Sequence, residues 1–167
     1  MKTSIKTFFS VLFLATILSS CNANMFNSVN GNNNVLTENR SSKADFTKIT
    51  ISTGLDLYIT QGSKNEIVVK NIWSAKARKI HVTVKNLEAI TATSGADVYA
   101  EEMIKTNTIN VIATSGADIR LSLDANSVST TATSGAEIKI AGIANNHTST
   151  ATSGASINGY DLESKNV

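Results

Sequence analysis

From Ile49 onward the chain alternates. Ile49, Ile51, Thr53, Leu55, Leu57 and Ile59 are interleaved with Thr50, Ser52, Gly54, Asp56 and Tyr58. A period of two predicts a strand with one buried face. The runs Glu66–Val69 and Ile80–Val84 predict further strands, whereas residues 72–79, IWSAKARK, fit a loop or a short helical turn. No stretch shows the 3.6-residue periodicity of an amphipathic helix, and the chain contains no proline. An all-β fold follows.

The alternation carries a second, longer period. ATSGAD at 92–97 returns as ATSGAD at 113–118, ATSGAE at 132–137 and ATSGAS at 151–156. A spacing of about 20 residues with strand alternation inside each unit is the mark of a solenoid. Helical repeats need amphipathic helices and leucine-rich repeats a leucine and asparagine framework; the segments have neither. The reading is a parallel β-helix with coils of about 20 residues, in which equivalent positions stack ~4.8 Å apart. Counting alternate residues inward gives Ile90, Ala92, Ser94, Ala96 and Val98 in one coil. Ile109 to Leu121, Val128 to Ile140 and Ala151 to Ile157 repeat the pattern in the next three. The small residues then mark where two walls approach too closely for bulk. Gly95, Gly116, Gly135 and Gly154 fall where the strand must bend, and Gly54 fits the same frame, so residues 49–59 are expected to be an earlier, bulkier coil.

Residues 46–62, FTKITISTGLDLYITQG, followed by EIVV at 66–69 and the Ser-Gly-Ala-Asp repeats, resemble the head GIN domain family, described as putative auto-transporter adhesins. The resemblance implies a β-solenoid and an exported, envelope-associated protein of Bacteroidetes-type bacteria; it implies architecture more firmly than activity. Against the family pattern, the segment between Val69 and Ile80 is short, so a missing or compressed coil is expected there. A further coil is also expected beyond Val167. An uncapped end exposes backbone edges, for which a homodimer contact or local fraying is expected.

The first 20 residues read as a secretory signal peptide: Lys2 and Lys6, an apolar run from Phe8 to Leu18, then small residues. Leu18-Ser19-Ser20-Cys21 resembles a bacterial lipobox, which makes Cys21, the sole cysteine, the expected lipid attachment site and first residue of the mature chain. Residues 21–43, rich in asparagine, are expected to tether this lipid to a domain spanning 44–167. An outer-membrane lipoprotein, facing the periplasm or the exterior, is the resulting expectation. Charge then carries little information. Of 15 basic and 13 acidic residues, Lys2 and Lys6 supply the excess, so the mature chain is neutral and lacks the footprint of a nucleic-acid binder.

Chemistry is expected only on outward columns. Asp97, Asp118 and Glu137 form one, with Asp56 in phase and Ser156 ending it. Adjacent carboxylates repel, and a calcium ion could relieve them, although side chains splayed into water do so equally well. Carboxylate pairs also occur in glycosidases and lyases, but those need distinct acid and base environments. Arg120 and Lys139 instead look like charge-balancing neighbours. No catalytic residue and no cofactor is expected. A second column, Thr91, Thr93, Thr114, Thr131, Thr133, Thr150 and Thr152, interrupted at Ile112, suits any solvated sheet face. It would also present regularly spaced hydroxyls to a repetitive ligand: extracellular polysaccharide, another envelope component, or ice. A structural envelope module without a specific ligand and a carbohydrate-active enzyme are the alternatives. His81 and His147 have no partners at metal-ligand spacing and are expected to be structural. Trp73 with Tyr58 or Tyr99 could stack a sugar. The sequon Asn146-His147-Thr148 has little meaning in a bacterial lipoprotein.

Overall fold

The computed structural model describes residues 35–40, 45–72 and 78–167. The expected signal peptide, Cys21, the first part of the expected tether and Trp73 lie outside the described residues. Eleven strands and no helix are found among those described: β1 (Val35–Arg40), β2 (Lys48–Ser52), β3 (Asp56–Gln61), β4 (Glu66–Ile72), β5 (Arg78–Val84), β6 (Ala89–Thr93), β7 (Asp97–Ala100), β8 (Ile104–Thr114), β9 (Asp118–Thr133), β10 (Glu137–Ala151) and β11 (Ser156–Asn166). They wind into a β-solenoid of about five turns.

Three walls result. The first stacks β2, β6 and the closing halves of β8, β9 and β10, all parallel. The second stacks β5, β3, β7 and the opening residues of β9, β10 and β11, also parallel. The third combines the start of β8, the middles of β9 and β10, and the end of β11. Between them the walls bury Ile51, Leu57, Ile59, Ile90, Val98, Ile104, Ile109, Ile119, Leu123, Ile138 and Ile140 in one apolar column.

The repeated hexad makes the corner between the first and second walls. In each copy two consecutive residues have positive φ: Ser94 at 56° and Gly95 at 69°, Ser115 at 56° and Gly116 at 71°, Ser134 at 55° and Gly135 at 73°, Ser153 at 53° and Gly154 at 73°. Thr53 (64°) and Gly54 (63°) do the same in the first coil. The Ala96 amide donates to the Thr93 carbonyl at 3.3 Å, and Ala117, Ala136 and Ala155 repeat the bond. Two left-handed residues closed by such a bond define a type I′ turn, the tightest reversal whose twist suits the flanking strands. Ser94, Ser115, Ser134 and Ser153, expected inward, are therefore exposed. The two-residue turn breaks the alternation and re-sets it, so that Ala92 and Ala96, Ala113 and Ala117, and Ala132 and Ala136 flank the corner on its buried side. These alanines are where the two walls meet, and a larger side chain would force them apart.

Between the Thr53-Gly54 corner and the Ser94-Gly95 corner the chain does not complete an ordinary coil. β4 and β5 form an antiparallel pair instead, with Ile67 opposite Val82 and Val69 opposite Ile80, and β5 then lies parallel on β3. This accounts for the shortness of the segment. Ile72 ends β4, while Arg78 and Lys79 open β5, so these parts of residues 72–79 are strand rather than loop or helical turn. Val35–Arg40, within the stretch expected to be tether, pair antiparallel with β4 as β1.

Glycine serves two different needs. At Gly116 an added Cβ would meet nothing within 4 Å, and only its φ of 71° favours glycine. At Gly142, where β10 passes from the second wall to the third, φ is 112° and a Cβ would fall 2.0 Å from the Leu123 carbonyl oxygen. Gly116→Ala should therefore cost about 1–2 kcal/mol, the ordinary strain of a left-handed L-residue. Gly142→Ala should cost more than about 2 kcal/mol, because backbone must move as well. Urea unfolding of the two variants checks the order, which reverses if the corners tolerate strain less than the Leu123 contact does.

Candidate functional site

Parallel in-register stacking turns each outward position into a column, and the first and second walls carry chemically different ones. On the first wall the expected threonine column resolves into two. Thr50, Thr91, Ile112, Thr131 and Thr150 stack in register. Beside them run Ser52, Thr93, Thr114 and Thr133, followed by Thr152, whose amide donates to the Ala132 carbonyl at 3.0 Å. Hydroxyl-bearing positions are thus spaced ~4.8 Å along the axis and ~6.6 Å across it, the repeat of strands and of alternate residues within one. Three of the second column's hydroxyls are tied to the corner serines: Thr93 to Ser94 at 3.4 Å, Thr114 to Ser115 at 3.4 Å and Thr133 to Ser134 at 3.0 Å.

A third outward column on the same wall, beginning Lys48, Ala89 and Asn110, borders a polar groove of about 450 Å³. Asn86, Glu88, Thr106 and Asn107 form its other side. Glu88 accepts from the Thr47 hydroxyl at 2.9 Å and from Asn86 Nδ2 at 3.3 Å, and the Thr106 hydroxyl donates to Asn86 Oδ1 at 3.1 Å. Further along this corner Asn145 Nδ2 donates to Asn126 Oδ1 at 2.9 Å, and Asn166 Nδ2 to Asn146 Oδ1 at 3.1 Å. Sequence reasoning missed this asparagine ladder, although Asn126 and Asn145 stand one coil length apart.

The second wall carries the acidic column. Asp56 is opposite Asp97, Asp97 opposite Asp118, Asp118 opposite Glu137 and Glu137 opposite Ser156. Burial, and then the charges of Asp118 and Asp56, push the Asp97 carboxyl above its ordinary value, with Arg120 opposing. Arg120 reaches Asp118 at 3.7 Å, while Lys139 turns to Asp161 at 4.0 Å. Among the described residues no group of three or more histidine, cysteine or carboxylate side chains is arranged to hold a metal ion. Asp97, Asp118 and Glu137 form a line and do not converge.

Next to the carboxylates runs an aromatic column. The His81 and Tyr58 rings stack at 5.0 Å and 17°, Tyr58 and Tyr99 at 5.4 Å and 24°. Arg120 continues the stack over Tyr99 at 5.6 Å. Ring faces used on one another are closed to a sugar, so Tyr58 and Tyr99 are packing residues. Burial, and then the Asp97 charge, push the Tyr99 pKa above its ordinary value, and its hydroxyl accepts from Arg120 Nη1 at 3.4 Å. His81 belongs to this surface stack, with Glu101 3.7 Å from its Nδ1. His147 is buried in the core, where its Nε2 lies 3.1 Å from the Thr130 hydroxyl and burial holds its pKa below the usual value.

The chain belongs to the family described as "Putative auto-transporter adhesin, head GIN domain", whose model matches residues 70–167. The fold is similar to that of a putative adhesin from Bacteroides fragilis NCTC 9343, with a TM-score of 0.65 and 19% identity over 78% of this chain and 73% of that one. It is likewise similar to a putative adhesin from Parabacteroides merdae ATCC 43184, at 0.62 and 16% over 82% and 77%. A protein from Parabacteroides distasonis ATCC 8503, titled a putative lipid binding protein, aligns at 0.56 and 12% over 80% and 77%. No curated protein matches the sequence.

Asp97 supplies a pH test. Its folded pKa is raised above 3.8, so folding takes up a proton in the window above that value, and the carboxylate weakens the fold once pH exceeds the raised pKa. Asp97→Asn should raise Tm at neutral pH and give no gain well below pH 3.8, as read by thermal unfolding followed by circular dichroism across that range.

Proposed function

We propose that this member of the head GIN family is a non-catalytic module of the cell envelope that binds a hydroxyl-rich extracellular polymer through the outer face of its first wall. The observation that carries the reading is the pair of in-register columns there, Ser52 to Thr152 and Thr50 to Thr150, continuing into the groove of Lys48, Asn86, Glu88, Asn107 and Asn110. Hydroxyls, amides and one charge of each sign are the groups that exchange hydrogen bonds with sugars. A repeating lattice also multiplies weak contacts along a repeating chain. Adhesion, which the family description carries, needs no more than this.

The acidic column supports a non-enzymatic reading. Its carboxylates share one face in a line, without the two distinct environments that acid and base roles demand. Cys21 supplies the envelope attachment: acylated, it would hold the solenoid to a membrane.

Thr114→Arg with Thr133→Arg places two long cations in the middle of the face. Screened on a glycan array and by pull-down with insoluble polysaccharides, the chain should retain at least one polymer, and the double variant should lose it at least about tenfold. Turnover of any such polymer, abolished by Asp118→Asn, would overturn the non-catalytic reading. Tritiated palmitate should label the protein in an exporting bacterium and fail to label Cys21→Ala; equal labelling of both removes the anchor.

A further inference from the structure

The two walls do not end level. Beyond β3 the second wall's sheet continues through β5 to β4 and β1, whereas the first wall stops at β2. Among the described strands β2 pairs only with β6, so the other edge of Lys48–Ser52 carries no ladder. Among the described residues, the inward side chains of the overshooting strands consequently have no sheet opposite them. Val82 on β5 is buried, but Ile80 on β5 and Ile67 on β4 are only half-buried, as are Ile49 on β2 and Leu55 after it. Together with Ile51 and Leu57 they line an open cavity of about 310 Å³. Such an apolar space, bounded by a strand edge that no described strand pairs, invites another strand.

We infer that this mouth is a strand-addition site: an extended segment of a partner polypeptide pairs with β2 and places alternate aliphatic side chains in the cavity. Three features specify a strand as the occupant. The added strand would continue the β10–β9–β8–β6–β2 stack of the first wall, every member of which is already parallel and in register. It would lie opposite β5 and restore the facing of two sheets, ~10 Å apart, that the rest of the solenoid has. The side-chain requirement is read from the wall. Alternate inward positions meet Ile49, Ile51, Ile67 and Ile80 and must be aliphatic, while outward positions continue the column of Lys48, Thr50 and Ser52, so polar residues fit, with a carboxylate complementing Lys48. Main-chain bonds then supply affinity and the alternating pockets supply selectivity, as in other strand-addition modes.

The rim is cross-linked by hydrogen bonds. Asn65 Nδ2 donates to the Phe46 carbonyl at 3.1 Å, and its Oδ1 accepts from the Lys85 amide at 2.9 Å. Lys85 Nζ reaches Asp45 at 3.2 Å. These bonds fix the approach to β2 against the far ends of β4 and β5, so little ordering remains to be done on binding.

A fluorescein-labelled nine-residue peptide of alternating valine and threonine, with one threonine replaced by glutamate, tests this on the full chain. Fluorescence anisotropy should show saturable binding, and hydrogen exchange should slow at least about tenfold at the β2 amides. The same peptide N-methylated at alternate residues keeps its side chains but cannot complete the ladder, and should bind at least about tenfold more weakly. Ile49→Asp should weaken binding by a similar factor while leaving circular dichroism and polymer binding by the first wall unchanged. No saturable binding, equal affinity for the N-methylated peptide, or displacement of the peptide by dodecanoate without β2 protection would overturn the inference. The last result would identify the cavity as a site for an aliphatic chain.

Discussion

Four of the five corner glycines donate their amide to the carbonyl of the serine one coil further on, at 3.1 Å from Gly54 to Ser94, Gly95 to Ser115, Gly116 to Ser134 and Gly135 to Ser153. The ladder therefore continues across the corner, where only the alanine amide after each glycine is turned back into the type I′ bond. A turn normally interrupts a sheet; here it is part of one. Because the corners are locked at one height per coil, the strands on either side inherit a common register, and every column on the first and second walls is aligned by that inheritance. Left-handed serine and glycine are the condition for it, and buried alanines beside them are its packing counterpart.

Alignment has an electrostatic cost on one wall and a benefit on the other. The same register that brings neutral hydroxyls together brings Asp56, Asp97, Asp118 and Glu137 together, and Asp97 in the middle is the residue whose ionisation is disfavoured. Arg120 lies where it can relieve this, against Asp118 and over the face of Tyr99. The aromatic stack beside the carboxylates follows from the same rule. Tyr58 and Tyr99 are separated by β4, β5 and β6 in sequence, yet their rings lie face to face because their strands are neighbours.

Much of this was legible in the sequence, for identifiable reasons. The hexads repeat because one structural unit repeats, so coil length, the acidic column and the kinship of Gly54 with the later corners could be read from spacing alone. The serines were misplaced because strict alternation has no provision for a turn that consumes two residues on the outside. One threonine column became two for a related reason: residues i and i+2 share a face but not a row. The antiparallel pairing of Glu66–Ile72 with Arg78–Val84 escaped detection because it departs from the period, and a period says nothing about what interrupts it. Thr130 and His147 illustrate a further gap. The Thr130 hydroxyl meets both His147 Nε2 and the Thr148 carbonyl on the next coil, contacts that alternation cannot foresee.

The coil itself has a consequence for how such a surface can change. Ala113 to Ala132 and Ala132 to Ala151 are in register with no insertion between them. Copying or deleting one such segment in the gene would leave every remaining neighbour relationship intact. The length of the exposed lattice is therefore quantised, in steps of ~4.8 Å. Each outward column could be extended by copy number alone, with no individual contact redesigned.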